Sequence, residues 1–151
     1  MMMKSKISAC RVSRNSGFTL VEVMITLVVI AILASIAYPS YIQSVRKSKR
    51  TDAYTALTRA AINLERFFGT NVTYTTDTSQ LRLTISAGTA YSDNGHYIVT
   101  VAAGATGIGS SYVINATAVA GDMQADDTGC TALSLDSLGR RTPDPTTSRC
   151  W

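Results

Sequence analysis

The 151-residue chain has one histidine, three cysteines, three prolines and one tryptophan, and only 16% of its residues are charged. Each scarcity narrows the function. A lone His96 supplies no imidazole cluster for a metal, and next to Gly95 it reads as a turn or surface residue, not a catalytic base. No serine or cysteine stands in a nucleophile motif. Gly104-x-x-Gly107-x-Gly109 lacks the spacing of a dinucleotide fingerprint and reads as a flexible loop. Cys130 and Cys150 lack the close pairing of a zinc site. The chain therefore reads as a non-enzyme that needs no cofactor and no metal. Its length allows one domain plus an appendage.

Charge is missing in two telling places. No acid precedes Gly17, where Lys4, Lys6, Arg11 and Arg14 form a short basic leader. No charge of either sign lies between Val23 and Val45, a run of 23 residues. About 20 apolar residues suffice for a helix to cross a bilayer, so this run predicts a transmembrane helix. Pro39 within it removes one backbone hydrogen bond and predicts a kink. Arg46, Lys47, Lys49 and Arg50 then mark the exit to the aqueous side, where long basic side chains snorkel.

Between leader and run stands Ser16-Gly17-Phe18-Thr19-Leu20-Val21-Glu22. An ordinary secretory signal is cut after its apolar core. This motif instead resembles the type III signal of type IV pilins and related pseudopilins. The resemblance implies cleavage between Gly17 and Phe18 by a prepilin peptidase, which also methylates the new amino terminus on Phe18, so that the apolar helix stays on the mature chain. It implies residues 1–17 as the cleaved leader, 18–45 as the transmembrane and assembly helix, and 46–151 as the globular domain. Loss of the leader leaves ten basic against ten acidic side chains, close to neutral, although the whole chain carries +4. Cys10 is lost as well. Cys130 and Cys150 remain, either as two free thiols or as a disulfide, and export to an oxidising compartment favours the bridge. A loop of about twenty residues closed in this way stabilises a fold by roughly 3 kcal/mol.

Beyond Arg50 the pattern stays helical. Ala53, Leu57, Ala60, Ala61, Leu64, Phe67 and Phe68 recur at three- and four-residue steps, Arg59, Asn63 and Arg66 fall between them, and Gly69 predicts the stop. The remainder is rich in Thr, Val, Ile and Tyr. Strands are predicted at 96–102, 111–120 and 131–136, with a polar connecting region at 70–95 and a turn at 137–140. Pro143 and Pro145 suit an edge or a loop. The expected class is α+β: a long kinked amino-terminal helix, transmembrane in its first half, packed on a small antiparallel sheet.

Among candidate sites Glu22 stands first. An acid within a membrane helix costs about 2.5–3.5 kcal/mol at the bilayer centre and calls for a partner. The pilin resemblance supplies one, the amino terminus of Phe18 on a neighbouring subunit; the plainer reading is an acid favoured by the helix dipole. Asp122, Asp126 and Asp127 lack the alternating ligand pattern of a calcium loop and read as solvated. Asn71-Val72-Thr73 and Asn115-Ala116-Thr117 match a glycosylation sequon, the second inside a predicted strand. Arg140, Arg141 and Arg149 are the candidate DNA contacts, and Tyr91, Tyr97 and Tyr112 could stack on bases but read as packing residues. With ten basic and nine acidic residues from Arg46 onward, weak DNA binding is expected.

The closing run from Gly129-Cys130-Thr131 through Asp136, with Gly139-Arg140-Arg141 and Cys150-Trp151, is similar to PilE-like minor pilins, including the group related to the DNA-uptake receptor ComP. The implied function is a structural subunit of a type IV pilus serving adhesion, twitching motility or DNA uptake. Its implied partners are other pilin subunits, the prepilin peptidase and methyltransferase, and an inner-membrane assembly platform. The chain would cross the inner membrane once, with its globular domain periplasmic, before entering an extracellular pilus. Two rival functions are a dedicated DNA receptor and a type II secretion pseudopilin.

Overall fold

The computed structural model describes residues 17–151. Lys4, Lys6, Cys10, Arg11 and Arg14, and with them the expected leader up to its last residue, lie outside the described residues. The chain divides into two compact units, Met1–Pro39 and Ser40–Trp151.

In the first unit, helix α1 (Leu20–Asn71) begins. Thr19 caps it: the Glu22 amide donates to Thr19 Oγ1 at 3.2 Å, and Val23 N–H donates to the Thr19 carbonyl. A threonine followed three residues later by glutamate is the sequence pattern of a helix start. Thr26 and Ser35, the first two hydroxyls of the uncharged run, donate back to the carbonyls of Val23 and Ile32 at 2.8 and 2.7 Å. They therefore bring no unsatisfied polar group into a segment whose large apolar side chains are exposed along its length. By length and composition α1 is able to cross a membrane.

In the second unit α1 continues to Asn71 and buries one face. Ala53, Leu57, Ala60 and Leu64 of the predicted periodic set are almost fully inaccessible, joined by Ala56 from outside that set, while Ala61, Phe67 and Phe68 are half-buried; the three buried alanines allow close approach of the sheet. Asn63 does not lie on the polar side as expected. It is buried, and its amide donates to the carbonyls of Arg59 and Leu81, both at 2.9 Å, tying the helix to the following segment. Gly69 does not stop the helix. Thr70 and Asn71 side chains both donate to the Phe67 carbonyl, and the left-handed residue is Val72, with φ 55°. Side-chain capping of the last turn thus removes the need for a glycine at the end.

The sheet is a six-stranded antiparallel meander, β1 (Thr84–Ser86), β2 (Thr89–Tyr91), β3 (Tyr97–Ala103), β4 (Tyr112–Ala118), β5 (Ala132–Asp136) and β6 (Arg141–Thr142), each pairing with the next. The three predicted strands are β3 to β5, shifted by a residue or two. β1 and β2 arise within the region expected only to connect. They form a hairpin of three-residue strands around Ala87 and Gly88, both at positive φ (48° and 78°), where the chain lacks the usual Asn-Gly signal. Tyr97, Val99, Ile114, Ala116 and Leu133 project from the sheet onto the α1 face to form the core, with Leu81 from a one-turn 3-10 helix, Thr78–Leu81. Pro143 follows the edge strand β6, as a residue without an N–H should.

Candidate functional site

The amino-terminal site is a short, exposed sequence. Phe18 is 83% accessible, and Glu22 lies in the first turn of α1, where the helix dipole favours an anion. Among the described residues the Glu22 side-chain oxygens accept no hydrogen bond.

At the other end of the chain, the carboxy-terminal segment is fastened to α1 by several independent contacts. Cys130 and Cys150 are bridged, with Cα atoms 5.3 Å apart. The Trp151 ring stacks on Tyr54 at 5.0 Å, and the Arg141 guanidinium lies 5.2 Å above the same ring. Arg50 reaches across to donate to the Arg149 carbonyl at 2.6 Å. A second aromatic run, Phe68 on Tyr74 and Tyr74 edge-on to Tyr112, closes the far end of the helix face, where both phenols donate to Glu65. Burial, with the Glu65 carboxylate adding to it, raises the Tyr112 phenol well above its ordinary value.

Two of the acids read as solvated are instead built into the fold. Asp127 is buried and accepts both Arg50 Nε at 2.7 Å and Arg50 Nη2 at 2.8 Å, a two-point ion pair, with a third bond from Gln124 Nε2 at 2.9 Å. This pairing raises the Arg50 pKa against the opposing effect of burial. The Gln124 amide also donates to the Tyr97 hydroxyl at 2.8 Å. Burial pushes Tyr97 up to about 12, although the Gln124 bond works in the other direction. Asp122 caps the 3-10 turn Met123–Asp126 through the Gln124 amide and meets Lys49 Nζ at 3.0 Å and His96 Nδ1 at 2.9 Å. Burial alone would raise its pKa; the Gln124 amide, His96 and Lys49 outweigh it and hold the carboxyl at about 2. Asp126 stays exposed. The acids that might have gathered a cation are thus occupied by Lys49, Arg50 and His96, and among the described residues no group of three metal-ligating side chains occurs. Lys49 and Arg50, read from sequence as interfacial, turn out to be fold-forming. Nothing local signals this, since the partners lie more than seventy residues away.

The three candidate DNA-contacting arginines line two clefts, with Arg141 over the Trp151 ring between them. Arg140 pairs with Asp136 at 2.6 Å and, with Arg141, lines an open cleft that also contains Asp136 and Asp144. Arg149 lines a different cleft of about 910 Å³ with Arg46, Lys47 and Arg50. Tyr97 and Tyr112 are buried and Tyr91 half-buried in the sheet, where they act as packing residues. Of the two sequons, Asn115 is half-buried within β4, paired to Thr100 and Ser134, while Asn71 is exposed at the end of α1.

Comparison with known proteins places this architecture. Residues 39–134 match the family described as type IV minor pilin ComP, DNA uptake sequence receptor. Residues 12–38 match the prokaryotic N-terminal methylation motif. The chain is 35% identical over 91 residues to the type IV major pilin protein PilA of Myxococcus xanthus (strain DK1622), covering 60% of this chain and 40% of that one. It is 32% identical over 103 residues to the fimbrial protein EcpC of Eikenella corrodens, covering 68% of this chain and 62% of that one. The matches thus span less than two thirds of the length of either relative. With the family match extending over more than half of its residues, on an α+β fold that carries the amino-terminal motif, the chain belongs to the type IV minor pilin ComP family and so to the type IV pilins.

Proposed function

We propose that the chain is a structural subunit of a type IV pilus, and we assign it no reaction. The observation that carries this reading is the adjacency of the methylation motif at residues 12–38 to a helix apolar enough to cross a membrane, in a chain whose next segment matches a pilin family. On this reading residues 1–17 are removed between Gly17 and Phe18 and Phe18 is N-methylated, residues 18–45 anchor the chain in the inner membrane, and residues 46–151 form the periplasmic domain. Prepilin peptidase, the assembly platform and other pilin subunits are its partners. Pro39 loosens the helix where one backbone bond is missing. Glu22, whose carboxylate accepts no hydrogen bond among the described residues, pairs with the Phe18 amino terminus of a neighbour during extraction from the membrane.

Peptide analysis of sheared filaments tests this directly. A chain beginning at methylated Phe18 is expected; one that retains Arg14, or is cut beyond Ala37, refutes it. Glu22→Ala is expected to leave a cleaved, stable protein in the membrane and to lower its entry into filaments.

A second reading, DNA reception, is supported by the family description, which names a DNA uptake sequence receptor. Against it stand the near balance of ten basic and nine acidic residues from Arg46 onward and the acids Asp136 and Asp144 in the cleft of Arg140 and Arg141. Weak binding of duplex DNA is therefore expected. Submicromolar binding that weakens steeply with salt and falls in Arg140→Ala with Arg141→Ala would promote this reading over a purely structural one.

A further inference from the structure

The cleft beside the disulfide has an imbalance that the fold leaves open. Four cationic side chains line it, Arg46, Lys47, Arg50 and Arg149, against one acidic side chain, Asp127. Arg50 already neutralises that acid through two hydrogen bonds. Among the described residues no carboxylate lies within ion-pair distance of Arg46, Lys47 or Arg149. The same walls contain three buried polar atoms without a partner: Arg46 Nε, Ser148 Oγ and Trp151 Nε1.

Buried polar groups in folded proteins nearly always have a partner. Three that lack one, each able to donate and each on a residue lining a cleft with unpaired cations, would gain a partner from a negative acceptor with several oxygens once their side chains turn towards it. A phosphate has that chemistry, and the planar guanidinium of Arg46 suits it. The walls are held in place without the ligand, because the disulfide, the Arg50 bond to the Arg149 carbonyl and the stacking of Trp151 on Tyr54 fix both sides.

Position in the chain indicates which phosphate. Arg46 and Lys47 are the first charges after the 23 uncharged residues Val23 to Val45. A helix of that length rises about 35 Å, slightly more than a hydrocarbon core of about 30 Å. By chain count the basic edge of the cleft stands at headgroup depth. We propose that this cleft binds the phosphate of an anionic phospholipid headgroup while the chain resides in the membrane. This goes beyond the filament role and rests only on membrane anchorage, so failure of the chain to enter pili leaves it intact.

Trp151 is the sole tryptophan and lines the cleft, so its emission reports occupancy. The full chain in neutral detergent is titrated with short-chain phosphatidylglycerol or phosphatidylcholine of equal chain length, and bound lipid is counted by native mass spectrometry. Phosphatidylglycerol is expected to bind tighter by about tenfold, and Arg46→Gln with Lys47→Gln to remove that preference. Trp151→Phe, which removes the indole N–H together with part of the ring stacked on Tyr54, is expected to weaken binding about threefold. Arg66→Gln, which removes one charge at an exposed helix position as Lys47→Gln does, should have no effect. If Arg46→Gln unfolds the chain, the exposed Lys47→Gln and the neutral Ser148→Ala provide the reading. Equal binding of the two lipids, an equal loss in Arg66→Gln, or emission changes without bound lipid overturns the proposal. Full displacement by inorganic phosphate at matched concentration reassigns the cleft to a free anion, and displacement by short duplex DNA at lower concentration reassigns it to nucleic acid; either overturns the lipid assignment.

Discussion

Arg50→Met offers the sharpest test of how the globular domain is held together. The substitution keeps the aliphatic stem but removes three hydrogen bonds, two to Asp127 and one to the Arg149 carbonyl. The side chains of Arg50 and Asp127 are 13% and 7% accessible, so little water can replace what is lost. Asp127 would keep only the Gln124 amide. Removing one member of a buried ion pair leaves an uncompensated charge and costs about 3–5 kcal/mol, a large share of a typical domain stability of roughly 5–15 kcal/mol. For the unit Ser40–Trp151 that predicts a fall in Tm on the order of 15 °C. Urea or thermal unfolding followed by far-UV circular dichroism on this unit reads it. The double variant Arg50→Met with Asp127→Leu should recover much of the loss, since an apolar pair of similar volume can match a buried ion pair. Lys49→Met is the contrast: Asp122 retains His96 and the Gln124 amide and is partly exposed, so roughly 1 kcal/mol or less is expected. An Arg50→Met loss no larger than that of Lys49→Met, or a double variant as unstable as the two single losses summed, would refute the reasoning.

Replacing Cys130 and Cys150 together by serine should cost about 3 kcal/mol through the freed loop, read as a lower urea midpoint with little change in slope; two alkylatable thiols in the native exported protein would show that no bridge forms. Asp122, whose carboxyl is held at about 2 in the fold, contributes stability that is present above the ordinary carboxylate pKa and is lost as pH falls from about 4 towards 2. Asp122→Asn should flatten the unfolding curve in that acid window, and an unchanged acid limb contradicts the assignment. Tyr97, raised to about 12 by burial, acts at the opposite extreme: its contribution is full below pH 10 and is lost as pH rises towards 12. Tyr97→Phe should therefore lessen alkaline destabilisation, which a stability series between pH 9 and 12 would detect.

The sequence by itself determined the local features of this protein. A 23-residue uncharged run, a Gly-Phe junction with Glu five residues past the glycine, and apolar residues at helical spacing from Ala53 to Leu64 are patterns within one segment, and one segment suffices to specify a helix and its buried face. The strands β3 to β5 were legible for the same reason, through β-branched and aromatic composition. The hairpin β1–β2 was not, because its three-residue strands are too short to show alternation and its turn is Ala-Gly. Only the tertiary structure decided the use of the charges. Lys49 and Arg50 looked interfacial and Asp122 and Asp127 looked solvated until the fold brought residues over seventy positions apart to within 3.0 Å. Arg140, Arg141 and Arg149, close in sequence, were distributed to two clefts by the path of the chain around β6 and the disulfide. Hydrophobic periodicity is written along the chain, whereas a partner for a charge is set by where the backbone returns, and that depends on packing of the whole domain.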